Sequence, residues 1–208
     1  ENVVFFASGV SNSLETDKTA FLREENLIRK TIKENPNKIF IYFSTCSIYD
    51  SSKNGSSYVN HKLKMEQIVE ELANQFLILR VSNAVGKGGN PNLLMNYLVN
   101  AFHQEKEITV HTLATRNLID ADDVKNITLK FINENSFNKI INVAYLENFS
   151  TIQILEILEK HFNKTAKTSL VKSGQSYLIS IPEAEAYFAE NKLTEKKEYL
   201  LRIIKRYY

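Results

Sequence analysis

The sequence predicts an α/β fold, a parallel sheet with helices on both of its faces. Three observations predict it. The apolar runs Val3–Phe6 and Ile39–Phe43 are continuous rather than alternating, as in strands covered on two sides. Other segments repeat their apolar residues at helical spacing. The two kinds of segment alternate along the chain, which is the order of βα units.

The elements follow in order. Asn2 to Ala7 reads as a fully buried strand, followed by the small residues Ala7-Ser8-Gly9. Small residues at a strand's carboxyl end let backbone approach a ligand, although by themselves they mean only a tight turn. Lys18 to Lys33 reads as a helix with Phe21, Ile28 and Ile32 inward, stopped by Asn35-Pro36-Asn37. Ile39 to Phe43 is the next strand, Ser51 to Ser57 a polar loop, and Met65, Ile68, Val69 and Leu72 mark a second helix. Gln75 to Arg80 reads as a strand, Lys87 to Pro91 as a loop, and Asn92 to His103 as a helix. Gly88-Gly89 is no phosphate cradle, because no Lys-Ser/Thr follows at the required spacing. Then come a short strand Ile108 to His111, a helix Asp120 to Glu134, a strand Ile140 to Val143 and a helix Thr151 to Phe162. Glu195 to Tyr207 closes the chain as a helix with Leu200, Ile203, Ile204 and Tyr207 inward, and the last third is expected to form a small lobe.

Composition narrows the class. The chain has 208 residues, 43% of them hydrophobic and 24% charged, the balance of an ordinary globular protein. A formal charge of +2 gives no mandate for nucleic acid or membrane surfaces, and Lys192 to Lys197 reads as a solvated face. The single Cys46 rules out an internal disulfide and fits a reducing, cytoplasmic setting. No apolar run approaches the about 20 residues of a membrane helix, and no signal peptide is visible. No His/Cys/Asp cluster has metal-ligand spacing, so no metal is expected; His103 and His111 read as surface residues.

The chemistry concentrates between Ile39 and Glu66. The strand ends on Ser44-Thr45-Cys46-Ser47-Ile48-Tyr49, and after the loop the helix opens with Tyr58-Val-Asn-His-Lys62-Leu-Lys-Met-Glu66. Tyr58 and Lys62 are one helical turn apart on one face, while His61 is expected to point off it. A phenol with a pKa of about 10 is a poor base at neutral pH. A nearby ammonium favours phenolate, so the pair could serve in general acid/base work. Such a pair alone is usually surface packing; after a strand ending in Ser44-Thr45 it carries more weight.

With these motifs the chain resembles the extended short-chain dehydrogenase/reductase family, whose members include NAD-dependent nucleotide-sugar epimerases, dehydratases and reductases. Leu79-Arg80-Val-Ser-Asn83-Ala-Val-Gly86, Pro91-Asn92-Leu93-Leu94, Arg116 to Val124 and Ile141-Asn142-Val143 fall in the family's order, and the motifs span roughly Val3 to Phe162. The resemblance implies a Rossmann-like domain over 1–145, with substrate-site insertions from about 84–118, and a substrate lobe over 146–208. It implies a catalytic set of Thr45, Tyr58 and Lys62. NAD or NADP would lie against Ala7, Ser8, Gly9, Ser44, Tyr58, Lys62 and Val81. A nucleotide sugar would meet Cys46, Asn83, Asn92, Leu93 and Arg116, the last as the diphosphate binder, since a guanidinium fork fits phosphate. Ser44 could replace Thr45 if the strand register slipped by one, Glu66 reads as structural, and Cys46 reads as packed rather than reactive. A homodimer through helices, one of them carrying Tyr58, is also implied.

The family's 4,6-dehydratases carry an Asp-Glu pair directly after the catalytic Thr; Cys46-Ser47 stands there instead. The resemblance therefore implies a 4-epimerase or 4-keto reductase of surface polysaccharide biosynthesis. One family feature is missing from this sequence. The six glycines (9, 55, 86, 88, 89 and 174) form no Gly-x-Gly-x-x-Gly after an opening strand. Either an N-terminal piece carrying that turn, with its strands, precedes Glu1, or the chain is a cofactor-free relative acting as a binding or regulatory module. The first reading is favoured, because Val3-Val4-Phe5-Phe6 is too apolar for an open sheet edge.

Overall fold

A computed structural model describes residues 2–91 and 93–208. The expectations placed on Asn92 lie outside the described residues. β1 (Val3–Phe6) leads through a loop to α1 (Lys18–Glu34), which Asp17 caps by accepting a hydrogen bond from the Thr19 N–H. β2 (Ile39–Thr45) passes through two short 3-10 turns into α2 (Ser57–Leu72), where the Ser56 hydroxyl accepts from the Val59 N–H. β3 (Phe76–Val81) continues almost directly into β4 (Asn83–Val85), followed by α3 (Leu94–His103), β5 (Ile108–His111), β6 (Thr115–Arg116) and β7 (Leu118–Asp120). Then come α4 (Ala121–Asn133), β8 (Lys139–Val143), β9 (Phe149–Ser150), α5 (Thr151–Phe162), β10 (Thr168–Val171), α6 (Pro182–Glu190) and α7 (Lys196–Tyr207).

The main sheet has the order β1-β2-β3-β8 and every pairing in it is parallel. Its strands send alternate residues to opposite faces. Ile41, Leu77, Leu79, Ile141 and Val143 enter one core with α3, α4, α5, α6 and α7. Phe40, Tyr42, Phe76 and Ile78 enter a second core with Ile28 and Ile32 of α1 and Met65, Ile68 and Val69 of α2. Helices therefore cover both faces, which is why these strands carry no polar alternation.

β1 departs from its expected full burial. It lies at an edge of the described sheet and pairs only with β2, so Phe5 stays 52% exposed while Phe6 is buried. β5 was expected as a strand, but its partner β10 and the pairs β4–β7 and β6–β9 were not legible in sequence, being two to four residues long and formed only when distant segments meet. α6 was missed for a related reason. Its buried residues are Ala184, Tyr187 and Phe188, too few to show a period. The larger core crosses residue 145 without a break: Tyr145 stacks on Tyr199 at 3.8 Å between centroids and on Phe149 at 5.7 Å.

Candidate active site

A cavity of about 620 Å³ opens at the carboxyl ends of β1, β2 and β3. Parallel strands place their carboxyl ends, and the loops that follow, on one side of the sheet, which is where open α/β sheets bind ligands. Ala7, Gly9, Ser44, Thr45, Cys46, Tyr58, Lys62, Val81, Asn83, Leu93 and Arg116 all line this space. Residues separated by a hundred positions in the chain are thus brought to one wall. Ser8 is not among the lining residues. It is exposed, and its carbonyl accepts a hydrogen bond from Arg23 Nη2 at 3.2 Å.

Successive residues of β2 divide the work between two faces. The Ser44 hydroxyl is 2.5 Å from Glu66 Oε1, and Glu66 in turn holds Arg80 through Nε and Nη2. Ser44 is therefore tied to that ion pair. Thr45 and Tyr58 line the same cavity, and Thr45 also caps the following turn, its Oγ1 accepting from the Ser47 N–H at 3.0 Å. Burial pushes the Tyr58 phenol above its ordinary pKa; the Thr45 hydroxyl eases this and the charge of Glu24 adds to it. At neutral pH Tyr58 is a phenol.

Lys62 is buried, and its ammonium meets two groups of the facing elements. Nζ donates to Glu24 Oε1 at 3.1 Å and sits 4.5 Å from the centre of the Tyr42 ring. Lys62 thus belongs to a larger arrangement in which its ammonium is bonded to Glu24. Glu24 comes from α1 and is fully buried. His61 belongs to the same arrangement. It was expected to point away, yet its Nε2 is 2.9 Å from Glu24 Oε2 and its ring stacks on Phe21 at 4.5 Å. Sequence offered one signal for Glu24, a carboxylate between Phe21 and Ile28 on the helix stripe that faces the core.

Cys46 donates its thiol to the Arg80 carbonyl at 2.9 Å, and burial pushes its pKa up to about 12. Arg116 donates to the carbonyls of Thr115 and Gln175, and among the described residues no carboxylate pairs with it. Asp50, Lys53 and Tyr177 also line the cavity and were not expected there. Tyr177 arrives from a segment that only the tertiary fold brings over β2. No group of three His, Cys, Asp or Glu that could hold a metal occurs among the described residues. Among them also, no helix is long and apolar enough to cross a membrane.

These features, a parallel sheet with a Thr-Tyr-Lys wall at its carboxyl edge, agree with comparison to known proteins. The family model for the NAD dependent epimerase/dehydratase family matches residues 3–144, and the chain belongs to that family. No curated protein matches the chain. Among solved structures, it is similar to a UDP-glucuronic acid 4-epimerase from Bacillus cereus in complex with UDP-glucuronic acid and NAD. The identity is 18% and the TM-score 0.74, covering 97% of this chain and 76% of that one. A dTDP-glucose 4,6-dehydratase from Bacillus anthracis in complex with NAD is 14% identical with a TM-score of 0.70, covering 99% and 74%. A UDP-glucose 4-epimerase from Bifidobacterium longum, in complex with NAD+ and UDP, is 17% identical with a TM-score of 0.70, covering 98% and 76%. At these identities the likeness is one of fold.

Proposed function

We propose that this chain carries the catalytic wall of an NAD(P)-dependent enzyme that interconverts nucleotide-activated sugars at C4, as a 4-epimerase or a 4-keto reductase. The observation that carries the proposal is the Tyr58 phenol on the wall of a cavity that Thr45 and Lys62 also line. The residues present fit a dinucleotide. Ala7 and Gly9 leave room at the end of β1, and a Cβ built on Gly9 would stand 3.1 Å from Lys62 Nζ, so only the bare backbone passes over that ammonium. Ala7, Gly9, Tyr58, Lys62 and Val81 would hold the cofactor, NAD by family membership. When bound, it would supply reversible hydride transfer at the sugar carbon.

The chain's own residues handle the proton and the orientation. Tyr58 gives its phenol proton to the sugar oxygen in the reducing direction; in the oxidising direction it takes the proton as phenolate, a form that positive charge at the cavity wall favours. Thr45, on the same cavity wall, offers its hydroxyl to the same oxygen. Lys62 offers its ammonium protons and charge from the cavity wall. Arg116, with only carbonyl partners among the described residues, is suited to a diphosphate. Dehydration is disfavoured, because Cys46-Ser47 supplies no carboxylate beside Thr45 and the Cys46 thiol holds its proton. Asp50, the carboxylate lining the cavity, caps the next turn through Ser52. A role in surface polysaccharide biosynthesis, a cytoplasmic location and a homodimer through helices accord with this chemistry.

The test uses the full-length protein with UDP-glucuronic acid or UDP-glucose and NAD or NADP, reading 4-epimer or 4-keto product by chromatography. Tyr58→Phe is expected to lower turnover by about a hundredfold or more, while saturating NAD still raises the unfolding free energy by about 2–3 kcal/mol. Full activity in Tyr58→Phe would remove Tyr58 from the mechanism. No thermal shift of the native protein with either dinucleotide would favour a cofactor-free binding module.

A further inference from the structure

We infer that Glu24 is the positioning residue of this site, a buried carboxylate that pins Lys62 at the cavity wall and keeps it charged. The inference deepens the proposed function, since it matters to catalysis only if Lys62 belongs to the site. It stands on geometry. Four donors converge on one carboxylate: Val10 N–H at 2.7 Å, Tyr42 Oη at 2.8 Å, His61 Nε2 at 2.9 Å and Lys62 Nζ at 3.1 Å. They come from the loop after β1, from β2 and from α2, so the carboxylate of α1 ties together every element around the amine.

A carboxylate fully removed from water costs several kcal/mol unless it is paired and bonded, and a core position between Ile28 and Phe21 would ordinarily take an apolar residue. The arrangement has no use in packing alone. Its effect falls on the amine. Burial pulls the Lys62 ammonium below the usual amine range, opposed by the charge and hydrogen bond of Glu24 and by the charge of Glu66. The ionisable groups around Lys62 are Glu24 on α1, Tyr42 on β2, and Tyr58, His61 and Glu66 on α2. Of these only Glu24 accepts a bond from Nζ. Without that carboxylate, a buried amine sheds its proton to avoid an uncompensated charge. Glu24 also explains Gly9 from a second side, because a Cβ there would fall 2.6 Å from Glu24 Oε1.

The deciding measurement follows Lys62 itself, without substrate or cofactor. In full-length protein labelled with carbon-13 at lysine Cε, the Lys62 resonance is the one lost in Lys62→Arg, and its shift is followed against pH. In Glu24→Gln the amine is expected to lose its proton about one pH unit or more below the parent. Glu24→Asp, which keeps a carboxylate, is expected to restore most of the difference. An unchanged Lys62 titration in Glu24→Gln overturns the inference, whatever the variant does to stability. Should Glu24→Gln fail to fold, Gly9→Ala decides by the same readout: it wedges a methyl against the pair, and an unmoved titration would again reject the role. Because no turnover is measured, a shifted titration with no epimerase or reductase activity would sink the proposed function and leave Glu24 as the anchor. Turnover with an unshifted titration would sink only the anchor.

Discussion

Ser44 and Thr45 show how one position of register separates structure from chemistry. Strand residues alternate sides, so the two hydroxyls of β2 serve different ends: Ser44 bonds Glu66, while Thr45 caps the next turn through the Ser47 N–H on the cavity wall it shares with Tyr58. Cys46 follows them and is closed off. Its sulfur is bonded to the Arg80 carbonyl, its surface is 1% exposed and its pKa is pushed up to about 12. Thiolate, not thiol, is the nucleophile. Cys46 is therefore expected to resist alkylation by iodoacetamide at pH 8 in the native protein and to react fully in urea. Rapid native labelling would show that the cavity wall opens, and would return a thiol to the list of groups that can act on substrate.

Between elements, the contact of α1 with α2 is where charge and packing meet. Glu24 illustrates the sign of the linkage. Burial opposes its ionisation, but the bond to His61, the Lys62 charge and the bonds from Val10 and Tyr42 outweigh that and hold its pKa at about 2, against an ordinary 4.5. A carboxyl whose folded pKa is depressed stabilises the fold above its unfolded pKa, and that contribution is lost as pH falls through the folded value. Urea-unfolding midpoints of the parent are accordingly expected to fall as pH drops from about 4.5 toward about 2, and to fall less over that window in Glu24→Gln. Equal slopes in the two proteins would mean that the Glu24 carboxylate is not depressed. One turn further along the same face of α2, Glu66 and the partly buried Arg80 form a second pair, with Nη2 2.6 Å from Oε2, which fixes the helix to β3.

At the scale of the molecule, the question is whether the C-terminal helices form a separate unit. Leu200, Ile203 and Ile204 of α7 share a core with Ile41, Leu77 and Leu79 of the sheet. α7 is also tied to α4: Tyr199 Oη donates to Asp123 Oδ2 at 2.8 Å and accepts from the Asp120 N–H at 2.9 Å. Leu200→Ala, a fully buried leucine, is expected to cost about 2–5 kcal/mol. The loss should appear as a displaced single transition by both fluorescence and circular dichroism, because the core it opens is common to both ends of the chain. Two separated transitions would restore an independently folding C-terminal lobe.

Local patterns in the sequence determined a good deal. The strands at Ile39, Ile108 and Ile140 and the helices around α1, α2, α4, α5 and α7 were legible, because each is encoded by neighbours within a few residues; Thr45, Tyr58 and Lys62 were singled out with the help of the family resemblance, and all three line the cavity. Periodicity names the buried stripe of a helix, and Tyr58 and Lys62 share a face through helical geometry alone. Tertiary structure decided what those patterns could not contain. The two- to four-residue strands β4, β6, β7, β9 and β10 exist only through partners far along the chain. Tyr177 reaches the cavity by the path of its segment, and Lys62 finds Glu24, 38 positions away. A charge on an apolar stripe is a mark in the sequence, but its meaning depends on which donors meet it. That is fixed by the packing of α1 on α2 over β2, where water is excluded and a carboxylate must be answered.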